Sequence, residues 1–198
     1  MICRLALMVG LAIVALAGPA TADAIYAVFA NPAGGAVAVQ GDASDAAMAK
    51  LGALEVETVD FGIENPLVID PRDDAIGPGR ASFKPLGMSL PLGPGVPALL
   101  QTSGAGGHYG DVTLHFRTDG AGAVEYATLA LNIVTVSSVE ISASDGSPPQ
   151  ATITLGYGSM KLDFFAQDAK GVVADSPESG AWNAMTATAD FSTVPKPQ

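Results

Sequence analysis

Two histidines seven residues apart, His108 and His115, sit with four glycines in the stretch SGAGGHYGDVTLHFR, residues 103 to 117. A glycine-rich stretch beside a histidine suggests a phosphate loop with a catalytic imidazole. Such a loop requires a strand, then glycines, then a helix, so that the helix N–H groups meet the phosphates. Here the order is helix, glycines, strand, and no Lys-Ser/Thr pair follows. Zinc chemistry would need further His or Cys ligands at close spacing. The chain has two histidines, a single Cys3 and no H-E-x-x-H helix. The acids Asp70, Asp73 and Asp74 flank Arg72, but their spacing departs from the D-x-D-x-D-G calcium loop. A G-x-S-x-G nucleophile elbow is missed by both GYGSM and GMSLP. No two of the 20 acids are marked by spacing as a glycosidase pair. The expectation is a non-enzymatic protein with no metal and no cofactor.

The elements that must carry these residues are mostly strands. Glycine (23) and proline (14) are abundant and 48% of residues are hydrophobic, a mix that suits short strands and tight turns. AIYAVFA (24 to 30) reads as a strand ending at Asn31-Pro32. DASDAAMAKLGAL predicts a short helix near residues 42 to 52, capped by Ser44 or Asp42 and closed by Gly52. LEVETVDFGI (54 to 63) reads as a strand. ENPLVIDPRDDAIGPG (64 to 79) reads as a long exposed acidic loop. Leu86, Met88, Leu90 and Leu92 alternate at strand period. GPGVPALLQTSGAGG predicts a short helix with Pro97 in its first turn and Gly104 as its stop. Val112, Leu114 and Phe116 then alternate with Thr113, His115 and Arg117, a half-buried strand.

Two long segments follow. VEYATLALNIVTVSSVEIS (124 to 142) changes its apolar face at Ile133-Val134 and again before Val139. ATITLGYGSMKLDFFAQD (151 to 168) changes face at Gly158-Ser159. Such slips are what β-bulges produce. Long bent strands around an aliphatic core predict a mainly β fold, a small closed or nearly closed barrel with one short flanking helix. GAWNAMTATADF (180 to 191) reads as the last strand.

The first residues read as an export signal: Arg4, an apolar run from Leu5 to Ala17, Gly18-Pro19, then Ala20-Thr21-Ala22 as a small-x-small site. Cleavage between Ala22 and Asp23 removes the one cysteine and leaves 8 bases against 20 acids, a net charge of −12. That charge excludes nucleic acid as a partner, because a phosphate backbone needs clustered Lys and Arg. No membrane contact is expected after signal removal, and the location is periplasmic or extracellular. The expected organisation is signal 1 to 22, one barrel domain over 23 to 192, and a flexible tail over 193 to 198.

Read from Asp23 onward, the order of motifs resembles the haemolysin-coregulated protein (Hcp) family of bacterial type VI secretion. AIYAVFA is similar to that family's first strand, VDFGIENP to its second-strand segment and RASFKPLGMSL to the strand entering its helix. PALLQTSGAGGHYGDVTLHFR resembles its helix, glycine-histidine turn and strand, and EYATLALNIVTVSSVEIS its long strand with a Val-Ser-Ser step. YGSMKLDFFAQDAKG and GAW are similar to its closing segments. The resemblance covers nearly all of residues 24 to 191, in order. It implies a β-barrel that assembles into homohexameric rings stacked into a tube, whose lumen can carry a secreted effector. It also implies that Gly107-His108 is a structural turn, and that Gly107, His108 and Tyr109 are turn or ring-contact residues near a subunit boundary. Loop 64 to 79, with Asp70, Arg72, Asp73 and Asp74, would take the place of the ring-stacking loop.

The export signal and the helix near 42 to 52 depart from the family pattern, because tube-forming members assemble in the cytoplasm and carry no such signal. Two other readings of the residues stand beside the ring. One is a monomeric secreted barrel that engages a partner through acidic loop 64 to 79. The other is an unrecognised hydrolase using His108 or His115 with a carboxylate.

Overall fold

The computed structural model describes residues 23–70, 75–78, 81–118, 122–168 and 172–191. The predicted signal segment and the tail lie outside them. In chain order the elements are β1 (Asp23–Ala33), α1 (Ala46–Lys50), β2 (Leu54–Val56), β3 (Thr58–Asp60), β4 (Ile63–Glu64), β5 (Leu67–Asp70), β6 (Ala75–Pro78), β7 (Ser82–Phe83) and β8 (Leu86–Pro91). They continue with α2 (Val96–Ala105), β9 (His108–Thr118), β10 (Glu125–Ser144), β11 (Ser147–Gly156), β12 (Ser159–Phe164) and β13 (Glu178–Asn183).

The main sheet is antiparallel and runs β2-β1-β9-β10-β11-β8-β3, with β12 and β13 added beside β10. Its two end strands are neighbours in the chain, separated only by Glu57, whose N–H donates to the Ser89 carbonyl at 2.8 Å. The segment 54 to 60 thus borders β1 with its first half and β8 with its second. The sheet curls back on itself as a nearly closed barrel, as the alternating strands predict. Alternation decides what lies inside. Leu54, Leu86, Leu90, Leu114, Leu131 and Ile153 point inward and are fully buried, while Thr113, His115 and Arg117 take the other face.

The face changes in the two long strands are resolved by backbone geometry. Ile133 adopts a left-handed φ of 53°, which for a β-branched residue is a true outlier. That one residue turns the strand over, so Leu129 and Leu131 before it and Val134 and Val136 after it all enter one core. A second register shift between Val136 and Ser138 returns Val139 to that core. Opposite the bend, β11 and β12 are the two halves of one long partner for β10, parted at Tyr157-Gly158.

Three expectations need correction. The helix near 42 to 52 is only Ala46–Lys50, and its cap is Asp45, whose carboxylate accepts from the Ala47 and Met48 N–H groups at 2.8 and 3.0 Å. Asp45 stands one residue before the helix, where its oxygen can reach those two orphan donors; Asp42 and Ser44 cannot. Helix α2 runs through Gly104 and ends at Ala105, because Gly106 rather than Gly104 takes the left-handed conformation (φ 69°) that closes it. The stretch 64 to 79 is not loop throughout, since β5 and β6 pair as a hairpin from Leu67↔Pro78 to Asp70↔Ala75. The apolar Leu67-Val68-Ile69 run supplies a strand that the flanking prolines and acids concealed.

Candidate functional site

The glycine-histidine stretch is a junction between α2 and β9. After Gly106, the Gly107 N–H returns to the Thr102 carbonyl at 3.0 Å. A Cβ on Gly107 would lie 2.4 Å from the Ala36 nitrogen, so only glycine allows this approach of two backbones. His108 is already the first residue of β9, paired with Ala33 on one side and Thr135 on the other. The turn therefore ends at Gly107, one residue earlier than the sequence reading placed it.

Tyr109 is fully buried. Its hydroxyl donates to the Val37 carbonyl at 2.7 Å and lies 3.0 Å from Thr102 Oγ1, which in turn accepts from the Val37 N–H at 3.0 Å. The ring meets Phe29 edge-on at 5.0 Å between centroids. Burial raises the Tyr109 phenol above its ordinary range. Tyr109 thus ties α2, β9 and the segment after β1 together from inside and offers no atom to a neighbouring subunit.

The second histidine is occupied as well. His115 Nδ1 lies 2.6 Å from Glu125 Oε2 across the β9-β10 ladder. Two positions along β9, Arg117 reaches the Ala123 carbonyl at 3.2 Å and the Asp45 carboxylate at 3.5 Å, pinning the start of α1 to the barrel wall. The hydrogen bond from the Met48 N–H is the largest influence on Asp45 and holds its carboxyl below the usual range, with the Ala47 N–H and Arg117 adding to it. Among the described residues no three His, Cys, Asp or Glu side chains gather as metal ligands. Of the four predicted stacking-loop residues, Asp70 ends β5, while Arg72, Asp73 and Asp74 lie outside the described residues. Asp23 is the first residue of β1 and pairs with Thr118; Ala22 lies outside the described residues.

Sequence reasoning missed a surface. An apolar groove of about 480 Å³ opens between the small β4-β7 sheet and the β12-β13 edge, lined by Phe61, Ile63, Phe83, Met160, Leu162 and Trp182. Phe83 and Trp182 stack at 6.4 Å. These residues come from segments more than a hundred positions apart. The sequence signal for the groove was the alternation of Met160, Leu162 and Phe164, which continues past the point where the barrel covers it.

The fold has known counterparts. A solved structure of a type six secretion system protein superposes with a TM-score of 0.73 at 20% identity, covering 84% of this chain and 99% of that one. Hcp1 from Salmonella typhimurium gives 0.63 at 15% identity, over 84% of this chain and 97% of that one. A type VI secretion system effector from Yersinia pestis gives 0.60 at 16%, over 80% and 98%. No curated protein matches the sequence. At such identities these structures establish the fold. The sequence itself matches the family described as type VI secretion system effector, Hcp, over residues 30–164, which is most of the chain. The chain belongs to the Hcp family of type VI secretion tube and effector proteins.

Proposed function

We propose that the mature chain, residues 23 to 198, forms a homohexameric ring and acts by assembly and carriage without catalysing a reaction. The observation that carries this reading is the family match over residues 30–164 on a nearly closed barrel. The polar side chains along β9 support it too. His115, Arg117 and Tyr109 are each engaged in holding elements together. In this reading residues 23 to 192 are one barrel domain, and Gly107 and His108 brace the wall near a subunit boundary. The stretch 64 to 79, which carries the hairpin β5-β6 and the residues Asp70, Arg72, Asp73 and Asp74, meets the next ring, and the lumen takes a secreted effector.

Segment 1 to 22 directs the chain out of the cytoplasm and is removed at Ala22-Asp23. Among the described residues no helix is long and apolar enough to cross a membrane. Negative-stain electron microscopy of the purified mature chain tests the assembly: annular particles with a central hole support it, and particles of single-barrel size refute it. N-terminal mass spectrometry of protein recovered from the periplasm or medium should begin at Asp23. Recovery of the uncut chain from the cytoplasm alone would refute export.

A further inference from the structure

The leader's cut and the barrel meet with no chain between them. Asp23, the residue that follows the cut, is already the first residue of β1 and pairs with Thr118 of β9. Ala24 pairs with Arg117. From Ile25 onward β1 is held on both sides, by Phe116 of β9 and Val56 of β2, and Ile25 packs against the core. Two residues farther in, Ala27 pairs with Leu54 and Leu114, and all three are fully buried. The Asp23 side chain is engaged too. Burial first, and then the Asp23 carboxylate beside it, raises the Tyr126 phenol above its ordinary range.

A peptidase takes its substrate as an extended segment whose residues on both sides of the bond are free of other partners. It therefore cuts a folded protein only where the chain opens locally. Asp23 and Ala24 are paired on one side only, and a strand end of that kind frays at little cost. Fraying frees two residues, a reach of about 7 Å. Going further requires Ile25 to leave both neighbours, and β1 lies between β2 and β9 in the barrel wall. Opening there is opening of the barrel, which costs close to global unfolding.

We infer that the leader is removed while the chain is still unfolded, before β1 docks on β9. The order of events is then export, cleavage, folding and only afterwards assembly. The inference rests on the reading of 1 to 22 as a removed leader and adds its timing. A second observation agrees with it. The export route for folded proteins is addressed by an Arg-Arg pair, and Arg4 is the single base in residues 1 to 22. Folding after transit also meets no chemical obstacle, since the mature chain has no cysteine and so no disulfide to form. A chain that folds first keeps its leader.

Order of addition tests this on the full chain, held in detergent micelles with purified bacterial signal peptidase. Chain diluted from urea directly into the peptidase should be cut between Ala22 and Asp23. Chain left to refold before the peptidase is added should be cut about tenfold more slowly, or slower still, because cleavage then waits for opening. A Gly-Ser insert of about eight residues after Asp23 keeps the bond intact and adds roughly 26 Å of slack before Ala24. It should return the refolded chain to the unfolded rate. Equal rates for refolded and unfolded chain would overturn the inference and leave the leader reading standing. Protection that persists with the insert would overturn it as well, since β1 pairing would not be its cause. If the unfolded chain is not cut at that bond, the leader reading itself fails and this inference falls with it. Circular dichroism melting confirms that the refolded chains are folded with and without the insert. An insert of half the length replaces the longer one should that variant lose its fold.

Discussion

Ile133 and Gly158 meet at the bend of the long sheet. Ile133 holds a φ of 53°, and a Cβ on Gly158 would lie 3.3 Å from Ile133 Cδ1 and 3.4 Å from Ile133 Cβ. The Gly158 N–H donates to the Asn132 carbonyl at 2.9 Å, so the two chains are locked back to back at this point. Without the bend, Val134 and Val136 would face solvent while Leu129 and Leu131 faced the core.

Gly158→Ala should therefore destabilise the chain by about 1–2 kcal/mol, the usual cost of inserting a methyl where neighbours cannot withdraw. Met185 also stands 2.9 Å from that position, but its thioether end can move. Urea unfolding measures the change, and an unaltered midpoint would show that the bend yields freely.

Tyr109→Phe removes one hydroxyl and leaves the part-buried Val37 carbonyl short of its donor. The expected loss is about 1–2 kcal/mol, the penalty of an unsatisfied buried acceptor. The barrel itself should persist, with an unchanged circular dichroism spectrum.

The glycines of the α2-β9 junction should respond in opposite directions. Gly104 is helical with nothing within 4 Å of an added Cβ, so Gly104→Ala should stabilise by roughly 0.5–1 kcal/mol. Gly107→Ala drives a methyl into the Ala36 backbone and should cost far more, measured on the same denaturation curve.

Burial pushes the Tyr157 phenol up to about 12, while an unfolded tyrosine titrates near 10. The folded value is the higher one. The contribution to stability is therefore fully present below about pH 10 and is lost as pH rises from about 10 through about 12. Tyr157 also donates to the Lys84 carbonyl at 3.0 Å, so its ionisation breaks that bond. Tyr157→Phe should flatten the alkaline decline in melting temperature. An identical decline in wild type and variant would rule Tyr157 out as its cause.

Much of this architecture was legible in the residues. Period-two alternation in DVTLHFRT and the face changes at Ile133 and Gly158 give the strands, the bulges and the barrel, because a side chain's face follows directly from its position in a pleated strand. What was hidden depends on backbone conformation. Gly104 and Gly106 look alike in sequence, and only the left-handed φ of Gly106 decides where α2 stops. Asp42, Ser44 and Asp45 are all capping types, and their distance from the first free N–H groups chooses among them. The hairpin β5-β6 was masked by its prolines and acids. Of the groove, the sequence shows only the Met160-Leu162-Phe164 alternation on one wall, since Phe61, Phe83, Leu162 and Trp182 become neighbours only when the sheet curls.

The central claim is assembly, and the most direct measurement is the solution mass of residues 23 to 198 by size-exclusion chromatography with light scattering. The account predicts a mass near six chains. A single-chain mass at micromolar concentration would contradict it, leaving a barrel of the Hcp family that acts alone.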